Sequence, residues 1–92
     1  MWKNNINNSK GGEFYLSDYK MDIKGYIGLS EYSNIHDYFG IVERNDRFRI
    51  NLEKGNDNEI GIIKTMLKEF GFYIYEQGYE NEGSYYINTY KL

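Results

Sequence analysis

The sequence predicts an α+β fold: an antiparallel sheet of five or six strands, in the order ββββαββ, with one α-helix packed on one face. Short segments in which apolar and polar residues alternate are typical of half-buried strands. One segment instead has apolar residues three and four positions apart, the spacing of an amphipathic helix. A chain of 92 residues is long enough for one core. We therefore expect residues 13–92 to form a single domain, preceded by a flexible, Asn-rich arm over residues 1–12.

The segment EFYLSDYKMDIKGYIGL, residues 13–29, is predicted to form the first hairpin. A turn near Tyr19 and Lys20 would place Leu16 opposite Ile23, with both side chains facing inward. The two glycines of GYIG, residues 25–28, interrupt the second strand and indicate a bend. Residues 30–37 are predicted to be a polar connection.

A second hairpin is predicted from Asp37 to Glu53, with Asn45 and Asp46 in a two-residue turn. This register places the apolar residues of both strands on the core face, where Phe39 would lie opposite Leu52. The other face would be exposed to solvent. It would carry Tyr38, Val42, Arg44, Arg47, Arg49 and Asn51.

The helix is predicted over Asp57–Phe70. Asn56 can cap its first turn, Glu59 completes the pattern of a capping box, and Gly71 suits the position after the last turn. Two further strands follow, in FYIYEQ and SYYINTYKL. Taken together, these patterns predict a core that includes Leu16, Ile23, Ile41, Ile50, Leu52, Ile60, Ile63, Leu67, Phe70, Ile74 and Ile87.

Composition excludes several classes of function. The net charge is −3 and the pI about 5.1, so sequence-independent binding to nucleic-acid phosphates is disfavoured. There is no cysteine, which excludes disulfides and thiol nucleophiles. No apolar run approaches the ~20 residues of a membrane helix, and the N-terminus has no signal-peptide pattern. We therefore expect a cytoplasmic protein that contacts neither membrane nor nucleic acid directly.

Catalytic and metal-binding motifs are not recognisable. His36 and Asp37 are the minimum of a general-base pair, but neighbours in an extended segment point to opposite faces. The run NDNEIG has the oxygen ligands that begin a calcium loop, yet it enters the helix after four residues. A non-catalytic protein with no cofactor and no metal site is predicted.

Six of the eleven tyrosines lie in the last 23 residues, close to acidic side chains. Tyrosine is enriched at protein interfaces because it gives a large contact area at low entropic cost. Neighbouring carboxylates would repel a phosphate backbone and suit a basic protein surface. The predicted partner-binding residues are Tyr73, Tyr75, Tyr79, Glu80, Glu82, Tyr86 and Tyr90.

A second candidate site surrounds the Asn45-Asp46 turn, where arginines cluster near a tyrosine. These residues could bind an anion through stacking and bidentate hydrogen bonds. The competing interpretation is a hairpin kept soluble by its charges. The candidate anion-binding residues are Tyr38, Arg44, Arg47 and Arg49.

In size, charge and lack of catalytic motifs, the chain resembles the small acidic proteins that phages and mobile elements direct against host defence systems. The resemblance is one of class and assigns no residue. It implies an inhibitor of the anti-CRISPR type, which would block a basic, nucleic-acid-handling enzyme by protein–protein contact. The alternatives are a toxin-immunity protein and a small nucleotide-binding sponge. An open sheet edge would also permit a homodimer.

Overall fold

The computed structural model describes residues 17–80 and 83–92, and within them it has an α+β fold with four strands and two helices. The elements are β1 (Asp18–Ile23), α1 (Leu29–Ile41), β2 (Arg47–Leu52), α2 (Asp57–Glu69), β3 (Phe72–Tyr79) and β4 (Tyr85–Lys91). The predicted arm, and with it Trp2, lies outside the described residues. No helix among the described residues is both long and apolar enough to cross a membrane.

The four strands form one mixed sheet in the order β1-β2-β4-β3. β1 and β2 run parallel, whereas β4 is antiparallel to both of its neighbours, β2 and β3. The α+β class is therefore confirmed, but the sheet is neither fully antiparallel nor five-stranded within the described residues. The parallel pair follows from α1, because strands joined by a helix can return in the same direction.

Helix α1 replaces the polar connection and the first strand of the predicted second hairpin. Buried Ile35 and Phe39 lie four residues apart on one side of this helix, and half-buried Tyr32 precedes them by one turn. The backbone N–H of Gly28 donates to the Glu31 carboxylate at 2.7 Å, which closes the first turn. This bond lowers the pKa of the Glu31 carboxyl below its ordinary value.

The predicted first hairpin is also wrong. Its supposed turn at Tyr19 and Lys20 lies inside β1, which runs from Asp18 to Ile23 without interruption. Tyr19 is buried on the core side while Lys20 is exposed, the alternation of a continuous strand. Leu16, the proposed partner of Ile23, lies outside the described residues.

The region around the predicted second turn connects α1 to β2. Asn45 has the predicted left-handed backbone, with φ of 72°, but Asp46 does not have positive φ. Instead, the buried Asp46 carboxylate accepts the backbone N–H groups of Ser17 and Glu43, both at 3.0 Å. These bonds hold the start of β2 against the chain that enters β1.

Helix α2 is confirmed almost to the residue. The Asn56 side chain accepts the backbone N–H of Glu59 at 2.9 Å, as expected for an N-cap. Gly71, just past the helix, has φ of +86°, the left-handed conformation that glycine adopts at little cost. The calcium-like run NDNEIG is thus the capped start of a helix.

Both helices contribute to one core on one face of the sheet. Phe39 of α1 packs against Phe72 of β3 at 5.2 Å between ring centroids, and Tyr38 stacks on Phe48 of β2 at 5.0 Å. The predicted core residues found buried are Ile23, Ile50, Leu52, Ile60, Ile63, Leu67 and Ile87.

Three other predicted core residues are at the margin or outside. Ile41, at the end of α1, is 51% exposed, and Phe70 is 42% exposed beside His36. Phe70 is the C-cap residue of α2, where the chain leaves the helix, and its ring packs against Phe39 at the edge of the core. The Ile41 prediction failed because α1 was read as a strand, which changes which of its residues face inward. Ile74 is only half-buried, packed against the core. Val42, predicted on the solvent face, is buried because the segment before it is helix α1 and not a strand.

Candidate binding surface on the open face of the sheet

The face of the sheet opposite the helices is built from alternate residues of all four strands, and none of the described residues covers it. We call it the open face. β1 contributes Asp18, Lys20 and Asp22, each of which is exposed. Their partners on β2 in the strand register are Arg47, Arg49 and Asn51. Cross-strand pairs on one face of a sheet lie within contact distance, so these side chains form continuous rows. The rows continue over β4 and β3.

Tyrosines cover the β3–β4 half of this face. Tyr73 and Tyr90 are paired across the strands, with ring centroids 5.3 Å apart, and Tyr75 lies 5.9 Å from Tyr90. Tyr73 is 51% exposed and Tyr75 is 45% exposed, whereas Tyr90 is half-buried between them. The three rings give a contiguous aromatic surface whose members limit one another's rotation.

A β-bulge in β3 decides which side chains join this surface. The register shifts between Ile74 and Glu76, so that Tyr75 is an extra residue without a partner on β4. A bulge places two successive residues on the same face. Tyr75 and Glu76 therefore both contribute to the open face, and Gln77 faces the helices, where it accepts the hydroxyl of Tyr85.

Arg49 is the centre of a hydrogen-bond network on the open face. Its guanidinium donates to Asn51 at 2.7 Å, to Asn88 at 3.3 Å and to Glu80 at 3.1 Å. It also lies 4.6 Å from the centroid of the Tyr86 ring, a cation–π contact. Four partners on three segments fix this side chain.

Glu76 connects this network to the tyrosines. Its carboxylate accepts the Tyr86 hydroxyl and the Asn88 amide, both at 3.1 Å. Burial raises the pKa of the Tyr86 hydroxyl, and its hydrogen bond to Glu76 raises it further. We call Tyr73, Tyr75, Glu76, Glu80, Tyr86 and Tyr90 the tyrosine patch.

Cations lie beside the tyrosine patch, on the β1–β2 half of the face. They line a shallow depression of about 260 Å³. Tyr19 and Phe48 also contribute to its lining, although their side chains belong to the core on the other face. We call the remaining lining residues the basic depression: Asp18, Lys20, Arg47, Arg49, Tyr75 and Asn88.

The structure brings together most of the predicted partner-binding residues, but it separates Tyr79 from them. The bulge reverses the alternation after Tyr75, so Tyr79 lies on the helix side, where its hydroxyl donates to Asp57 of α2 at 3.2 Å. Burial and the Asp57 charge raise the pKa of that hydroxyl. Glu82 lies outside the described residues.

The candidate anion-binding residues are distributed over both faces. Tyr38 belongs to α1 and stacks on Phe48 beneath the sheet, whereas Arg47 and Arg49 lie on the open face. Arg44 is exposed in the connection between α1 and β2. Tyr38 cannot stack on a ligand bound by the two strand arginines, because the sheet lies between them.

His36 lies on α1, exposed, with its ring 5.0 Å from Phe70 and 5.8 Å from Phe39. The side chain of its neighbour Asp37 forms no hydrogen bond or ion pair with the described residues. The described part of the chain contains no group of three or more acidic or histidine side chains placed to hold a metal ion.

Several residues of the open face were not predicted from the sequence. Lys20 could have been found, because alternation in DYKMDI places Asp18, Lys20 and Asp22 on one face once the segment is read as a single strand. Glu76 could not have been found from the sequence, because simple alternation after Tyr73 and Tyr75 assigns it to the core side. Its position depends on the bulge.

Comparison with known proteins gave no relative: no family model, curated protein or solved structure matches the chain.

Proposed function

We propose that this chain is a non-catalytic binding protein whose tyrosine patch docks onto a protein partner. The observation that supports the proposal is a sheet face that no described residue covers, on which the rings of Tyr73 and Tyr75 both pack against Tyr90 beside a fixed polar network. Interface hot spots are enriched in tyrosine and arginine. A surface whose side chains are already held in place loses less conformational entropy when it binds.

The charge of the patch indicates the chemistry of the partner. Glu76 and Glu80 lie among the tyrosines, and Asp22 extends the acidic side of the face. Arg49 neutralises part of Glu80 through the 3.1 Å ion pair. The remaining negative charge complements a basic surface and would steer encounter with it.

We infer that the partner is an enzyme that handles nucleic acid, because such enzymes present basic grooves. The chain would act by occupying the groove and excluding the phosphate backbone. In this role it would belong to the inhibitors that phages and mobile elements direct against host nucleases, of which a CRISPR effector is the favoured target. Its cellular site of action would be the cytoplasm.

Affinity capture with matched variants tests the proposal. Tagged wild-type protein is expected to retain one basic nucleic-acid-processing protein from lysate of its source organism. The double variant Tyr73→Ala/Tyr75→Ala should lower the affinity at least about thirtyfold, which corresponds to the loss of a single hot-spot contribution of roughly 2 kcal/mol. Tyr26→Ala is the control, because Tyr26 is 91% exposed and lies outside the sheet.

Equal capture by the patch variant and by wild type would contradict the proposal, and so would equal losses in the patch and Tyr26 variants. With the purified partner, a nuclease or nucleic-acid-binding assay then measures inhibition. A partner that is bound but keeps its full activity would exclude the inhibitor mechanism while leaving the binding role in place.

A further inference from the structure

The basic depression gathers like charges that the fold does not require. Lys20 and Arg49 are direct partners across β1 and β2, and Arg47 is two residues from Arg49 on the same face. Like charges placed opposite each other destabilise a sheet. A local arrangement that costs stability without a structural compensation is typical of functional sites.

Two of these cations have no partner in the part of the chain that the structure describes. Among the described residues, neither Lys20 nor Arg47 forms a side-chain hydrogen bond or an ion pair. Asp18 lies opposite Arg47 in the strand register, yet the two form no ion pair. Arg49, by contrast, is held by its neighbours and cannot leave the depression without breaking their hydrogen bonds. Among the described residues, the cations that line the depression outnumber its one carboxylate, Asp18, and only Arg49 is held in an ion pair.

The aromatic wall of the depression is Tyr75. Its ring is 45% exposed and is supported by Tyr90 at 5.9 Å between centroids. Asn88, next to it, adds an amide group to the lining. The depression thus combines a face for stacking with cationic donors, in a volume just below the range of about 300–1,000 Å³ that is typical of small-molecule sites.

We propose that the basic depression binds a nucleoside phosphate, with Lys20 and Arg47 on the phosphate and Tyr75 stacked on the base. Arginine recognises phosphate through paired N–H donors, and tyrosine stacks on any base. Tyr75 takes the stacking role that the sequence suggested for Tyr38.

The surroundings limit the ligand to a single nucleotide or to the phosphorylated end of a strand. Glu76, Glu80 and Asp22 occupy the adjoining part of the open face. An extended phosphate backbone would cross these carboxylates and be repelled. These two sources of the ligand, a free nucleotide and a phosphorylated strand end, share one chemistry, a terminal phosphate attached to a nucleoside.

Calorimetric titration of the purified full-length chain tests this proposal. The probes are nucleoside mono- and triphosphates, the matching unphosphorylated nucleosides, and inorganic phosphate. Saturable binding with one nucleotide per chain is expected, at least about tenfold tighter than binding of nucleoside or phosphate alone. Dinucleotides with and without a 5′-phosphate distinguish the two sources. Tighter binding of the phosphorylated dinucleotide than of the mononucleotide indicates a strand end, and the reverse indicates a free nucleotide.

Variants of the lining residues test whether the nucleotide binds in the basic depression. Arg47→Ala should weaken nucleotide binding at least about tenfold, the change expected from loss of a charge-assisted hydrogen bond, and Arg47→Lys should restore part of it. Tyr75→Leu should weaken nucleotide binding while leaving binding of phosphate unchanged. Arg44→Ala and Tyr26→Leu are the matched controls, because both residues are exposed outside the depression.

Absence of saturable binding at millimolar nucleotide would overturn the proposal. Equal losses in Arg47→Ala and Arg44→Ala would also overturn it, since they would show a diffuse effect of charge. The inference does not depend on the proposed protein partner. Tyr73→Ala changes the tyrosine patch without touching the depression, and Arg47→Ala does the opposite, so either proposal can fail alone.

Discussion

At the scale of single residues, Asp46 connects the segments that meet just before β2. Its carboxylate is buried and accepts two backbone N–H groups, one at the entrance to β1 and one just after α1. Its own backbone C=O accepts the N–H of Lys91 at 3.1 Å. One residue therefore ties three segments that are distant in sequence.

Replacing Asp46 by Ala should lower the free energy of unfolding by about 2–3 kcal/mol, because one buried and one partly buried N–H group would lose a charged acceptor. Asp46→Asn should lose less, since its amide oxygen can still accept one of the bonds. Urea unfolding followed by circular dichroism measures both changes. Asp37→Ala, at an exposed position on α1, is the control and should stay within about 0.5 kcal/mol of wild type. A loss in Asp37→Ala as large as that in Asp46→Ala would contradict this assignment.

At the scale of elements, the sequence was informative where local signals and hydrophobic spacing agreed. Helix α2 combines an asparagine cap, acidic residues in its first turn and a glycine after its last turn, and all of these could be read directly. Helix α1 has only one of these signals, the acidic Glu31 in its first turn. It starts at a glycine without a side chain to cap it, and its segment contains serine, asparagine and glycine, which are weak helix formers.

The signal for α1 was nevertheless present in the spacing of Tyr32, Ile35 and Phe39, which follows a helical period. It competed with a strand pattern in the same residues, because Phe39 and Ile41 also alternate with Tyr38 and Gly40. The choice between helix and strand for this segment also decides how the neighbouring strands pair. A helix between β1 and β2 makes their pairing parallel, and it also transfers Tyr38 from the open face to the core side.

Replacement of glycine by alanine should change the free energy of unfolding in opposite directions within helix α2 and in the turn that follows it. Gly61 lies within the helix with nothing inside 4 Å of an added Cβ, so Gly61→Ala should raise the free energy of unfolding by about 0.5–1 kcal/mol. Gly71 has equally free space but φ of +86°, so Gly71→Ala should lower it by about 1 kcal/mol. Chemical denaturation of both variants measures the two changes in the free energy of unfolding. Changes of the same sign would show that backbone conformation does not control these sites.

At the scale of the whole molecule, the open face results from placing both helices on the same side of a four-stranded sheet. Simple alternation in the last two strands was enough to predict that Tyr73, Tyr75, Tyr86 and Tyr90 share a face. It could not predict the bulge at Tyr75, which depends on how β3 pairs with β4. The position of Tyr79 and the juxtaposition of β1 with β2 both follow from such long-range pairing, which local patterns do not contain.

Tyrosines in three different elements couple the stability of the whole molecule to alkaline pH. Burial raises the pKa of Tyr32, Tyr79 and Tyr86, and nearby carboxylates raise each of them further. In the unfolded chain these hydroxyls ionise near pH 10, the ordinary value for tyrosine. The folded state therefore keeps protons that the unfolded state releases. This stabilisation is fully present below about pH 10 and is lost as the pH rises through the higher folded-state pKa values.

The free energy of unfolding should consequently fall between pH 9 and pH 11, and Tyr86→Phe should reduce the steepness of that fall, because phenylalanine has no proton to release. Denaturant titrations at three pH values within this range measure the slope for each protein. Tyr26→Phe, at a ring that is 91% exposed, is the matched variant for the loss of a tyrosine hydroxyl as such. All other groups are the same in wild type and Tyr86→Phe, so the difference between their slopes isolates the Tyr86 hydroxyl. Identical slopes for wild type and Tyr86→Phe would show that the hydrogen bond from Tyr86 to Glu76 does not hold the hydroxyl proton in the folded state.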